Sequence, residues 1–401
     1  MKNAKLRKNA KYCAMQAVYW MLACICVAYA GVFLPARGYS NAEYGVIMAA
    51  GYVLGMLLQP LVSSLTDRTT RLTATQMLAI TTVAVALPVT GLAVFKMRGI
   101  ALTVSYVCFL AFQLVLQPLV NAYCFYLQTP EAPIRFGIAR GFGSLGWAGL
   151  SAVLGGMVTR LGDHILPYAA LIVLALMLVL LYLCHLEGPS LLQQSKTRGG
   201  AVMRSELTLR SLFGRYHGFL FLLIGNMFIF FGHSQIDNFP YQVLTNVGGN
   251  STTLGLFIAY TALLEIPFMF LSDRVCEKLT YQRVLRLSAA FFVVKAALLF
   301  AMRSLAGVFI SNSFQIVSFA LFVPAAVIYA GNVAGAQDAN KAQSLVTATT
   351  TAGNILTSAV GGLLIDGIGV YGMLGVGVVV TLIGALFVIC GIGKKAPKTV
   401  S

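Results

Sequence analysis

The sequence predicts an all-α membrane protein of twelve transmembrane helices in two pseudo-symmetric six-helix bundles. Three observations predict it. Hydrophobic residues make up 58% of the 401 and charged residues 10%, with a mean hydropathy of +0.83; a soluble domain carries about 25% charged residues to wet its surface. Twelve apolar runs, each long enough to cross a hydrocarbon layer of about 30 Å at 1.5 Å per residue, follow one another along the chain. The basic residues fall in the short segments between those runs, mostly on one side of the membrane.

The runs are justified in order. Span 1, 12–34, follows five cations (Lys2, Lys5, Arg7, Lys8, Lys11) and carries Gln16, Tyr19 and Trp20. Its Ala28-Tyr29-Ala30 resembles a signal-peptidase site, but cleavage there would leave an odd number of spans, so the run is read as a span. Spans 2 and 3, 43–65 and 73–95, are joined by Leu65-Thr66-Asp67-Arg68 with Arg71 nearby. Span 4, 101–127, includes Gln113, Gln117, Pro118 and Asn121. Span 5, 136–159, holds Arg140 and Trp147. Span 6, 164–186, is almost wholly aliphatic over Leu171–Leu183. A polar segment with Lys196, Arg198, Arg204, Arg210 and Arg215 follows, giving bundles at 1–186 and 218–401 and a cytoplasmic linker at 187–217. Span 7, 218–243, carries His233, Ser234 and Asp237; span 8, 251–271, carries Glu265 and ends in Leu271-Ser272-Asp273-Arg274 with Lys278. Spans 9 to 12 are 285–302, with Lys295, then 305–331, with Asn312, Gln315, Ser318 and Phe322, then 342–365 and 370–392.

Of the 28 lysines and arginines, Arg37, Lys96, Arg98, Arg160 and Arg303 fall in outside loops, Arg140 and Lys295 lie within spans, and the other 21 are inside. The bias places both termini in the cytoplasm and supports an even number of spans. Clusters of this kind orient helices and meet anionic lipid, so the net charge of +16 is no sign of nucleic acid: no basic stripe is interleaved with stacking aromatics. The cysteines lie mainly in apolar segments without zinc spacing. No nucleophile–base constellation and no Gly-x4-Gly-Lys loop is present. The expectation is a monomeric, cofactor-free membrane protein that is not an enzyme.

The two halves echo each other, with an acidic-basic hairpin after the second span of each. Parallel six-helix halves are a transporter architecture with the binding site near the midplane. The hairpins resemble the signature of the major facilitator superfamily, without its opening glycine. The resemblance implies gating roles for Asp67, Arg68, Arg71, Asp273 and Arg274; a purely topological role for these charges is the alternative.

A charge at mid-bilayer costs at least about 2.5–3.5 kcal/mol on insertion scales, so Arg140, His233, Asp237, Glu265 and Lys295 are the pointers to function. Arg135-Phe-Gly-Ile-Ala-Arg140-Gly-Phe-Gly-Ser-Leu-Gly-Trp147 resembles the fifth helix of the lactose-permease-like oligosaccharide:proton symporters. That resemblance implies that Arg140 hydrogen-bonds sugar hydroxyls and Trp147 stacks on the ring. Chemically, guanidinium offers a planar fork of donors, and an indole face suits a pyranose. Gly137, Gly141 and Gly143 are expected to let another helix approach. A helix-end cation and a packing aromatic are the plain alternatives for Arg140 and Trp147.

By the same resemblance Glu265 is a substrate-binding carboxylate, Asp237 one of two span-7 aspartates (the other position is Ser234), and Lys295 a proton-coupling cation. Asp237, Glu265 and Lys295 are expected to form one charge cluster, with a structural ion pair as the alternative. His233 and Asp237, at i and i+4, share a face and form a conceivable proton relay. Departures from the family are Asn121 for a sugar-binding glutamate, Gln315 and Ser318 for the proton-site His and Glu, and Asn312 and Thr350 for two lysines. Asn121, Asn312 and Gln315 complete the expected substrate-binding set, and any coupled proton falls to Glu265 or Asp237. The resemblance implies a proton-linked importer of a sugar or oligosaccharide, with substrate, proton and bilayer as partners. An importer of nucleosides or of aromatic or organic acids, a drug exporter, and a non-transporting sensor stand as alternatives.

Overall fold

The computed structural model describes residues 2–68, 72–127, 134–185 and 217–392, with the side chains of 2–7, 66–68, 185, 266–278, 335–337 and 340 also outside the description. The linker at 187–217 thus lies outside the described residues save for its last residue, as do the side chains of Asp67, Arg68, Arg71, Asp273 and Arg274.

The described chain is helical with short turns, and no strand occurs among the described residues. Among the described residues, ten helices are long and apolar enough to cross a membrane, one of them Lys341–Gly391, and Ser251–Glu265 is a shorter apolar helix. Helical assignment runs unbroken from Phe319 to Gly391. As a straight rod that segment would measure about 110 Å at 1.5 Å per residue. It is folded instead. Gly369 has φ 76°, a left-handed conformation that costs glycine little. One helix, His217–Asn238, meets all three arms of the segment. Phe230 packs on Phe319 and Phe322, the Asn226 amide donates to Thr349 and Thr350, and the Gln235 amide donates to Met373 O. Divided at Gly369, Lys341–Gly391 is two spans, and with Ser251–Glu265 the twelve expected helices are all accounted for. The apolar pattern marks loops at 332–341 and 366–369; the backbone stays helical through the first and turns at Gly369.

Three spans are interrupted. Span 1 is Lys2–Ala23, a π-helical turn Cys24–Ala28, and Ala30–Phe33. Such a turn misaligns backbone groups, and the Tyr106 hydroxyl donates to Cys26 O at 2.8 Å. Span 7 ends at Asn238 because Pro240 has no N–H to continue it, and the chain resumes as Pro240–Thr245. Span 10 breaks between Leu305–Ser313 and Phe319 in a 3-10 turn, Phe314–Ile316; the Ser288 hydroxyl of Tyr281–Ala301 donates to Val317 O there at 2.8 Å.

Helix starts follow the usual chemistry of orphan N–H groups. Thr73 and Gln76 form a capping box at Ala74–Val94, and Ser40 and Glu43 exchange the same two bonds at Asn41–Arg68. Asn250 caps Ser251–Leu279, and Ser304 caps Leu305–Ser313.

The chain forms two compact units, Met1–Gly200 with Asn250–Ala262, and Ala201–Gly249 with Leu263–Ser401. Within the first, the start of Ser251–Leu279 lies against Phe136–Leu161. Thr252 N and Oγ1 reach Thr159 Oγ1 at 3.0 and 2.9 Å, and a β-carbon on Gly255 would stand 3.1 Å from Gly155 Cα. Within the second, Phe219, Leu222, Ile229, Phe230, Leu285, Phe292 and Phe322 form a buried core. Exposed Leu, Ile, Val and Phe side chains on most of the spans suit lipid contact.

Candidate functional site: two polar clusters

In the first unit, Phe136–Leu161 carries Arg140 and Trp147 two turns apart, and both meet Trp20 of Lys2–Ala23. The Arg140 guanidinium lies 3.9 Å above the Trp20 ring, and its Nη1 donates to Ser144 Oγ at 3.1 Å. Trp147 meets Trp20 edge to face at a centroid distance of 6.0 Å, and Tyr19 does so at 5.4 Å. The cation is thereby held by its face on the indole and by an in-plane bond to Ser144. Gly143 permits this packing: a β-carbon there would stand 3.0 Å from Trp20 Nε1.

A second ladder joins spans 1 and 4. Gln16 Nε2 donates to Asn121 Oδ1 at 3.1 Å and to the Tyr12 hydroxyl at 2.8 Å, and Gln113 Nε2 donates to the Tyr19 hydroxyl at 2.8 Å. Asn121 is therefore held by Gln16.

In the second unit, four spans converge on one chain of polar contacts. The Glu265 carboxylate accepts from Gln315 Nε2, and Gln315 Oε1 accepts from the Lys295 ammonium. Lys295 Nζ lies 3.3 Å from His233 Nδ1, and His233 Nε2 lies 3.3 Å from Asp237 Oδ2, near enough for attraction but not aligned as a hydrogen bond. Lys295 and His233 are buried, whereas the Asp237 side chain is 46% exposed. Phe230, Phe292 and Phe319 surround the imidazole at 5.1–5.6 Å. The chain holds two carboxylates and one ammonium. It can neutralise its excess negative charge by taking up one proton. Asn312 is buried one turn before Gln315, and the buried Ser318 hydroxyl donates to Phe314 O.

A model of the MFS_1 like family matches residues 12–374. The chain belongs to that family. It is similar to YwbF, an uncharacterized transporter of Bacillus subtilis (strain 168), with 25% identity over 292 residues, 72% of this chain and 69% of YwbF. Among solved structures, the nucleoside transporter NupG matches with a TM-score of 0.80 at 14% identity, covering 98% of this chain and 100% of NupG. A bacterial homolog of the human lysosomal transporter Spinster, inward-facing and unoccupied, matches with a TM-score of 0.71 at 13% identity, covering 98% of each chain. This MFS-type protein is a multi-pass membrane transporter.

In this MFS transporter, Glu265, Gln315, Lys295, His233 and Asp237 stand together, as do Arg140 and Trp147; Asn121 pairs with Gln16. Two details depart from the sequence reading. Gly137 and Gly141 face open space; Gly143 and Gly146 make the close approach to span 1 instead, with Ala17 backbone against Gly146. Trp20, noted from sequence only as a residue of span 1, is the residue that holds Arg140. Its signal was present: Gln16, Tyr19 and Trp20 recur at i, i+3 and i+4 on one helix face.

Proposed function

We propose that this MFS protein is a proton-linked secondary transporter that imports a neutral, hydroxyl-rich ring solute, a sugar or oligosaccharide, in the manner of the lactose-permease-like symporters. It works as a monomer in the cell membrane with both termini cytoplasmic. The observation that carries this reading is the chain Glu265–Gln315–Lys295–His233–Asp237. Two carboxylates share one ammonium, so one bound proton balances the cluster and lowers the cost of holding it in a low-dielectric interior. With serine at position 318, Glu265 and Asp237 are the carboxylates available for that proton. Arg140 and Trp147 supply a donor fork and an indole face, the chemistry that suits vicinal hydroxyls on a ring. Substrate and proton then move by alternating access.

A nucleoside is the second reading. NupG, a nucleoside transporter, shares the fold over its whole length, and a ribose with a flat base also suits a guanidinium fork beside indoles.

Uptake into proteoliposomes tests both. Sugars and nucleosides are offered with and without an inward proton gradient, to the wild type and to Glu265→Gln, Asp237→Asn and Arg140→Ala. Gradient-driven accumulation of a sugar, abolished by Arg140→Ala and uncoupled by one carboxylate variant, is expected. Accumulation of nucleosides alone selects the second reading. Uptake that ignores the gradient refutes proton coupling.

A further inference from the structure

Both units contain buried polar atoms, but those of spans 1 and 4 form a pattern of their own. Gln16 and Gln113 are 0% and 2% exposed. Each amide spends its nitrogen on neighbours, Gln16 on Tyr12 and Asn121, Gln113 on Tyr19. Each amide oxygen, Gln16 Oε1 and Gln113 Oε1, is buried and accepts no hydrogen bond, and the Trp20 indole N–H donates none. A buried polar atom without a partner is costly and calls for an explanation. Gln16, Tyr19 and Trp20 share a face of Lys2–Ala23, and Gln113 bonds to the Tyr19 hydroxyl. Trp20 touches both Arg140 and Trp147.

We propose that Gln16 and Gln113 form a subsite whose two amide oxygens accept hydroxyl groups of a neutral polyhydroxylated ligand, with Trp20 Nε1 as its donor. This rests on the reading of the protein as a transporter of hydroxyl-rich solutes and deepens it. Two acceptors demand a ligand rich in donors. A cationic donor is disfavoured because the Arg140 guanidinium lies 3.9 Å from the Trp20 ring. An apolar ligand would leave both acceptors unmatched, the situation in which hydroxyl-reading sites discriminate most strongly. Asn121 is then a positioning residue: its carboxamide oxygen holds Gln16 Nε2 and so orients the other end of that amide. Both acceptor oxygens are covered, so a ligand hydroxyl completes the subsite rather than meeting it in open solvent.

The test measures binding to the purified full-length protein of two probe series: methyl galactoside with each of its monodeoxy forms, and uridine with each of its monodeoxy forms. In the series that binds, the wild type is expected to prefer the fully hydroxylated member by about tenfold at two hydroxyls, as fits one hydrogen bond each. Gln16→Met is expected to erase the preference at one of them and Gln113→Met at the other. Gln113→Glu, which keeps an acceptor oxygen, retains it. Met variants that fold and keep the wild-type preferences overturn the subsite while leaving the transporter reading in place. A wild type that binds neither series overturns both. If the Met variants do not fold, Gln113→Asn, which draws the oxygen back by one methylene, reads the same ratio, and an unchanged ratio overturns the subsite.

Discussion

Replacing Lys295 with methionine isolates the charge logic of the second unit. Methionine is unbranched and fills the space of the lysine stem with little repacking, so what is lost is the ammonium. Lys295 is 3% exposed, and its Nζ donates to Gln315 Oε1 and stands 3.3 Å from His233 Nδ1. Without it, the Glu265 and Asp237 carboxylates lose the cation they share. Removing one partner of a buried contact pair costs about 3–5 kcal/mol; Lys295 reaches the carboxylates only through Gln315 and His233, and Asp237 is 46% exposed, so a smaller loss of stability is expected for Lys295→Met. The sign of the compensation is equally definite. Adding Glu265→Gln or Asp237→Asn returns the cluster to its original net charge, so each double variant is expected to recover more than half of the loss. Thermal unfolding of the purified protein in detergent measures this, with proteoliposome uptake alongside. An unfolding midpoint unchanged in Lys295→Met, or double variants no better than the single one, would refute the idea that these residues form one electrostatic unit.

Three further outcomes are expected. Gly143→Ala puts a β-carbon 3.2 Å from Trp20 Cγ and displaces the indole from Arg140; losing that cation–π contact, worth about 0.5–2 kcal/mol, weakens ligand binding by roughly 2- to 30-fold. Intrinsic fluorescence, which comes largely from the two tryptophans, reports the displacement, and an unaltered spectrum with unaltered affinity counts against it. Gly255→Val meets Tyr29 Oη at 3.0 Å and Gly155 Cα at 3.1 Å, where backbone cannot yield, so folded yield after purification is expected to fall sharply. Arg98→Ala removes an ion pair with Glu43 whose side chains are 57% and 36% exposed; the cost is at most about 1 kcal/mol and shrinks with added salt, as unfolding at two ionic strengths will show.

Much of the fold was legible because lipid imposes a one-dimensional rule: each run must be apolar over a membrane's thickness, and basic residues collect inside. The charged residues within spans were legible for the same reason, since few sequences place Lys295 or Glu265 in hydrocarbon without a partner. Interruptions were not. The π-helical turn at Cys24–Ala28 lies inside a uniformly apolar segment, so hydropathy carries no mark of it, and the polar residues around the 3-10 turn at Phe314–Ile316 mark a lining face without marking a break. Pro240 did carry one, and the span predicted through it ends at Asn238. Partner choice was the other gap. Nothing in the spacing of Gly137, Gly141, Gly143 and Gly146 says which faces a neighbour.

The wrapping of Phe319–Gly391 around His217–Asn238 has a consequence for how the protein is made. The amides of Asn226 and Gln235 meet Thr349, Thr350 and Met373, and Gly225 lies against Gly384 and Val388. At about 5–20 residues per second on the ribosome, the roughly 150 residues separating span 7 from its last partners take about 8–30 s to appear. Until then a membrane-inserted helix carries carboxamides and glycines whose final neighbours arrive one after another, Thr349 and Thr350 first and Gly384 and Val388 last. Biogenesis of the second unit therefore includes a built-in waiting period, in which that helix sits in the membrane before its neighbours are complete.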